Sequence, residues 1–227
     1  CLSDWSSDVC SSDLPETAPA VKVARLRALG AEVVQVGTRY ADAYEAATKR
    51  AAETGALFGH AYDQREVCAG QGTVGLEVLE QTGGEIDTVL VATGGGGLMA
   101  GVATALEGRA SVVAVEPRTA PTLHAALRTG EPVDVEVSGV AADSLGATRI
   151  GAIAFAVARR TGVRSVLVED EDIVAARREL WERYRIAVEH GTAAAAAALW
   201  SGAYMPAPGE RVAILLCGAN TDPSDLT

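Results

Sequence analysis

Four short runs, Thr88 to Ala92, Val112 to Val115, Ser165 to Val168 and Val212 to Leu216, are almost wholly apolar and are separated by segments of helical period. A strand with one wet face alternates, whereas a strand that is apolar throughout needs cover on both faces. Strands of this kind with helices between them imply an α/β fold built on a doubly wound parallel sheet. Aromatic residues are only 4% of the chain, so its core has to be made of Ala, Val, Leu and Ile. The helix after Asp170 is expected to turn Ile173, Ala176, Leu180 and Tyr184 inward. Thr192 is placed to cap a further helix, whose Ala193 to Ala198 run permits close approach to a sheet. Ahead of these strands, Val21 to Leu29 reads as a helix ended by Gly30, Val33 to Val36 as a short strand, and Gly37 as a turn. Tyr40 to Thr54 reads as a helix with Tyr44, Ala47 and Ala51 on one face.

Charge narrows the partners. Nineteen basic against thirty acidic side chains leave a net charge of −11. With a pI near 4.7, such a surface repels phosphate backbones and anionic lipid, which argues against nucleic-acid or membrane binding. No apolar run approaches the ~20 residues that cross a bilayer. The start carries no basic, apolar leader, and a cytoplasmic location is expected. That start, Cys1 to Leu14, repeats Ser and Asp without periodicity, resembles the translation of a sequencing adapter, and is set aside as non-native. The remaining cysteines, Cys68 and Cys217, are too few for a disulfide scaffold and too far apart for a zinc pair. The expected organisation is residues 1–14 non-native, 15–66 the remnant of a small domain, and 67–227 a large domain, with the crossing at Asp63 to Val67. The chain is expected to be a fragment, incomplete at its N-terminus.

The candidate chemistry lies at strand ends. Gly94-Gly95-Gly96-Gly97 follows the Thr88 to Ala92 strand and leads into the helical Leu98 to Val102. Glycine inside ordered structure costs roughly 0.5–1 kcal/mol relative to alanine, so four together are either a loose turn or a loop of special use. Apolar elements on both sides fit the loose turn poorly. A phosphate cradle at a helix N-terminus fits better, because bare backbone lets successive N–H groups converge on an oxyanion. Cys217-Gly218-Ala219-Asn220 follows the last strand. Its thiol either is a small buried hydrophobe or faces the same crevice, if the two strands are neighbours. Gly70-Gln71-Gly72-Thr73-Val74-Gly75 matches a dinucleotide-binding pattern, but no buried strand enters it and no acidic residue ends the next strand. Asp143-Ser144-Leu145-Gly146 reads as a turn, and Glu189 as a surface carboxylate. His60, His124 and His190 have no spacing for a metal site or a triad, and no nucleophile elbow occurs.

The stretches PETAPAVKVARLRALGAEVVQVG, GQGTVGLEVLEQ, VATGGGGLMAGVATAL, VAADSLGA and LLCGAN, followed by Asp222-Pro223, together resemble the threonine/serine ammonia-lyases (dehydratases). These are fold type II, tryptophan synthase β-like enzymes dependent on pyridoxal 5′-phosphate, and the likeness runs in order from Pro15 to the C-terminus. The resemblance implies that Gly94, Gly95, Gly96, Gly97 and Leu98 hold the cofactor's phosphate and that Cys217 faces its pyridine nitrogen. It also implies, more loosely, that Gly139 to Asp143 lines the ring face and that Glu189 lies near the wall of the site. The implied substrate is a small amino acid, threonine or serine, which loses its β-hydroxyl and becomes a 2-oxo acid and ammonia. No metal is implied, and the whole protein is expected to be a homo-oligomer. A serine racemase-like enzyme, or a non-catalytic module that binds the cofactor or phosphate, are the alternatives. The family's Ser-x-Lys-x-Arg-Gly motif, which carries the Schiff-base lysine, and its Ser-Gly-Asn-His motif do not occur here; Lys22 and Lys49 are the only lysines. Neither is assigned a catalytic role.

Overall fold

The computed structural model describes residues 10–38 and 40–226; residues 1–9, most of the adapter-like stretch, lie outside the described residues. The chain divides into two compact units, Cys1–Gly59 and His60–Thr227.

The first unit contains β1 (Ser11–Leu14), α1 (Ala20–Ala28), β2 (Glu32–Gln35) and α2 (Tyr40–Thr54). β1 runs parallel to β2, with Ser11 opposite Glu32 and Leu14 opposite Gln35. The last four residues of the stretch set aside thus form a strand here, a pairing that the open edge of a lone β2 invites. α1 ends as expected, with Gly30 at φ +83° just beyond it. On α2 Ala43 is buried, while Tyr44 stays partly exposed and meets the Phe58 ring edge-on at 5.6 Å.

The second unit holds α3 (Arg65–Gln81), β3 (Thr88–Ala92), α4 (Gly97–Ala105), β4 (Ser111–Pro117), α5 (Thr122–Thr129), α6 (Ala152–Thr161), β5 (Arg164–Val168), α7 (Asp170–Tyr184), α8 (His190–Trp200) and β6 (Val212–Ile214). Its four strands form one parallel sheet in the order β5-β4-β3-β6. Alternate residues of each strand serve opposite layers. Val89, Val91, Val112 and Ala114 pack with α3, α4, α5 and α6. Leu90, Val113 and Val115 pack with α7 and the alanine run of α8. Both faces of β3 and β4 are therefore covered, which is why these runs carry no polar alternation.

Gly72 and Gly75 sit where α3 crosses α4. A Cβ on Gly72 would lie 3.0 Å from the Gly101 carbonyl oxygen, and one on Gly75 would lie 2.8 Å from the Ala105 Cβ. The spaced glycines that resemble a dinucleotide fingerprint are thus a helix-packing device. Three placements differ from expectation. Tyr184 is 55% exposed, because α7 ends there and Arg185 turns the chain at φ +56°. Thr192 does not cap α8: the helix begins at His190, with Glu189 in the cap position, and Thr192 is buried in its first turn. β6 stops at Ile214, although Leu215 still donates to the Leu90 carbonyl at 3.0 Å. Asp63 to Val67 lies within the second unit, whose start falls at His60.

Candidate active site

From β3 the chain winds outward through β4 and β5, then returns through α7 and α8 to place β6 on the other side of β3. At such a reversal the loops leaving two adjacent strands part, and a crevice opens beyond their carboxyl ends. Gly94 to Gly97 leave β3, and Cys217 to Asn220 follow β6, so the two sequence-predicted groups leave the carboxyl ends of adjacent strands at this switch point.

The glycine loop is held from behind. The Gly94 carbonyl accepts from the Thr122 hydroxyl at 2.6 Å, and the Gly95 carbonyl accepts from the Gly151 amide at 3.0 Å. The Gly96 carbonyl accepts from the Ala100 amide at 2.9 Å, the first bond of α4. Gly96 is left-handed, at φ +87°, and a Cβ there would lie 2.6 Å from Ala154 Cβ and Ile150 Cδ1. Glycine is required at that position both by conformation and by space. The other three are crowded by backbone or ring: Leu145 approaches Gly94, the Tyr62 ring covers Gly95, and the Tyr62 carbonyl faces Gly97. With the carbonyls tied back, the first-turn amides of α4 at Gly97, Leu98 and Met99 have no intrahelical acceptor. Gly95 and Leu98 are the partly exposed members of the loop.

Cys217 is exposed, unlike Cys68. Its thiol lies 3.7 Å from the Thr192 hydroxyl. Desolvation by the surrounding wall raises the thiol's pKa and the Glu189 charge adds to this, while the Thr192 contact works the other way. The Glu189 amide donates to the Gly218 carbonyl at 3.2 Å, and its carboxylate packs directly against the Gly218 α-carbon. Glu189 is therefore part of this wall rather than a plain surface carboxylate. The 139–146 segment is also brought in. Ala141 is buried, Leu145 backs Gly94, and Ser144 abuts Gly191 at the start of α8.

Four framework residues escaped sequence reasoning. Glu116, fully buried on β4, accepts from the Leu123 amide at 2.7 Å, the His124 amide at 2.9 Å and the Ser165 hydroxyl at 2.5 Å. Burial pushes its carboxyl pKa up, against these donors. Thr122, at the head of α5, joins Glu116 to the glycine loop. Asp63 accepts from the Ala152 and Ile153 amides at 3.0 Å each and so caps α6, next to the Gly151 amide that holds Gly95. Tyr62 covers the loop. A carboxylate inside the apolar run Val112 to Val115-Glu116 was the one available signal among these.

Lys22 and Lys49 lie on α1 and α2 of the first unit. Among the described residues no group of three His, Cys, Asp or Glu side chains is arranged to hold a metal ion, and no helix is long and apolar enough to cross a membrane.

Residues 10–218 match the family described as "Pyridoxal-phosphate dependent enzyme". The L-threonine ammonia-lyase of Geobacter sulfurreducens is 39% identical over 212 residues, which are 92% of this chain and 52% of that protein. The phenylserine dehydratase of Ralstonia pickettii is 39% identical over 210 residues, 91% of this chain and 64% of that one. The solved structure of maize serine racemase matches with a TM-score of 0.87 at 29% identity, covering 96% of this chain and 68% of its own. The chain spans 52% and 64% of the length of these two curated relatives.

Proposed function

Because the chain belongs to the family of pyridoxal-phosphate dependent enzymes, we propose that Gly94, Gly95, Gly96, Gly97 and Leu98 bind the phosphate of pyridoxal 5′-phosphate and that Cys217 faces its ring. The observation that supports this reading is that the glycine loop and the Cys217 segment leave the carboxyl ends of two neighbouring parallel strands. The residues fit the group. Three carbonyls of the loop are engaged elsewhere, and side-chain-free backbone leaves the amides that head α4 to an anion. Bound there, the cofactor supplies an electron sink for a carbanion at the substrate's α-carbon. The Cys217 thiol, with its pKa raised, stays protonated and neutral and offers the ring only a weak hydrogen bond.

For the whole protein we propose an ammonia-lyase that converts L-threonine, L-serine or both into 2-oxobutanoate or pyruvate and ammonia, acting in the cytoplasm as a homo-oligomer. Its Schiff-base lysine is assigned to sequence upstream of this chain. Residues 67–227 would be the large domain, 15–66 part of a small domain, and 1–14 non-native. The test begins with the DNA upstream of the Pro15 codon. If the frame continues into Ser-x-Lys-x-Arg-Gly, the restored protein is assayed with L-threonine and L-serine. Release of the 2-oxo acid with ammonia supports the lyase; D-serine without oxo acid replaces it with a racemase. A start codon directly upstream of Pro15 replaces it with a binding module.

A further inference from the structure

We propose that Thr122 is a positioning residue for the phosphate cradle, oriented in turn by Glu116; this rests on the reading of Gly94 to Leu98 as the phosphate site. Thr122 is fully buried, and its side chain reaches out of α5 to a loop 28 residues earlier in the chain. A hydroxyl has one hydrogen to give. The Gly94 carbonyl can only accept, and at 2.6 Å it is the closer partner; the nearer Glu116 oxygen stands 3.2 Å away. The hydrogen therefore goes to Gly94. Its effect is on the direction of the next peptides. A carbonyl of the cradle that swung towards the crevice would put a partial negative charge beside an anion, and Thr122 draws this one to the opposite side.

Glu116 makes that reach possible. Its two oxygens take the amides of Leu123 and His124, at 2.7 and 2.9 Å, and so fix the first turn of α5 from which Thr122 projects. Ser165 on β5 anchors the same carboxyl at 2.5 Å. Three neighbouring elements, β4, β5 and α5, are thereby locked to the loop that leaves β3. Thr122 is fully buried behind the loop's backbone, so it acts through Gly94 and not on a ligand.

The test uses the chain as it stands and pyridoxine 5′-phosphate as the probe, because that compound lacks the aldehyde and cannot react with Lys22 or Lys49. Affinity is measured by calorimetry, and exchange of the Gly95 to Leu98 amides by mass spectrometry. Thr122→Val should weaken the probe about fivefold to tenfold, the loss of one net hydrogen bond to the loop, and should speed that exchange. Thr122→Ser, which keeps the hydroxyl, should restore both, an outcome that a purely space-filling role would not give. If the γ-methyl of valine unfolds the protein, Thr122→Ala removes the crowding and decides the same question. Wild-type affinity in the Val or Ala variant, or failure of Ser to restore it, overturns the positioning role and leaves the phosphate site standing. No binding to the unaltered chain overturns the phosphate site itself, and this inference with it.

Discussion

The two loops at the switch point are built in opposite ways. The loop after β3 lies on an inner strand with both neighbours present, its carbonyls tied to α5, the 146–151 segment and α4, and its glycines crowded from behind. The loop after β6 leaves the last strand of this sheet, its cysteine is exposed and contacts the Thr192 hydroxyl at 3.7 Å, and its Gly218 carbonyl accepts from the Glu189 amide at 3.2 Å. An anion cradle works by preorganisation, since amides that must reorient on binding lose the benefit of being there. A thiol that meets a ring edge needs only to be within reach.

If that contrast is right, breaking the support behind the glycines should be the costliest change. Glu116→Ala leaves the Leu123 and His124 amides and the Ser165 hydroxyl without their acceptor inside the core. Stability in urea should fall by about 3 kcal/mol, from a lost helix cap together with buried unsatisfied donors. A loss below about 1 kcal/mol would mean that water replaces the carboxyl and that the framework is softer than its geometry implies. Gly96→Ala comes next. A left-handed non-glycine residue and a Cβ 2.6 Å from Ala154 and Ile150 should together cost about 2 kcal/mol. The same denaturation experiment checks it, and Gly202→Ala, left-handed but with nothing within 4 Å, separates the cost of conformation from that of crowding.

How far these features were legible depends on whether their cause was local. β3, β4 and β5 could be read directly, because burial on two faces writes itself into consecutive residues. The glycine loop was legible for the same reason: four glycines between ordered apolar elements demand an explanation. β6 was read two residues too long, since Leu215 and Leu216 continue its apolar character beyond the paired residues. Thr192 looked like a cap because hydroxyl residues before an apolar run usually are, yet α8 already starts at His190, where Gly191 packs against Ser144 and Leu145. The supports of the loop were hidden by distance along the chain. Thr122 and Gly94 are 28 residues apart, and Asp63 and Ile153 are 90 apart. Only the sheet order brings them together.

Acid should move the two sides of the switch point in opposite directions. Behind the glycines, Glu116 has its pKa raised above 4.5 by burial, so its contribution is whole below that value and is lost as pH rises through the folded-state pKa. Behind the cysteine loop, buried Arg177 donates to Asp225 at 2.7 and 2.8 Å, to the Thr221 hydroxyl at 3.0 Å and to the Val188 carbonyl at 2.8 Å. The hydrogen bonds from Arg177 hold the Asp225 carboxyl below 3.8, so this contribution is present above 3.8 and is lost as pH falls through the folded value. Amide exchange in the first turn of α5 should therefore slow, relative to intrinsic rates, as pH falls towards 4.5, while residues 221–225 loosen only on going below 3.8. Arg177→Gln should abolish the second step and leave the first. Loosening of both regions in the same pH range would indicate one acid transition and remove the contrast.

The smallest effect concerns reactivity rather than stability, and it tests the wall around Cys217. Accessibility alone would make this thiol quick to alkylate, but the thiolate is the reacting species, and its formation is opposed by desolvation and by the Glu189 charge. Iodoacetamide at neutral pH should modify Cys217 more slowly than an unstructured peptide thiol, yet faster than Cys68, which is buried and donates to the Tyr62 carbonyl at 3.3 Å. Glu189→Gln removes the charge and should speed the reaction a few-fold, whereas Thr192→Val removes a favourable contact and should slow it. The pH profile of the rate separates these effects from simple changes in access, because a pKa effect shifts the midpoint and an access effect scales the plateau. A Cys217 that reacts faster than the free thiol would mean that this loop concentrates positive potential, which is the property the contrast reserves for the glycine side.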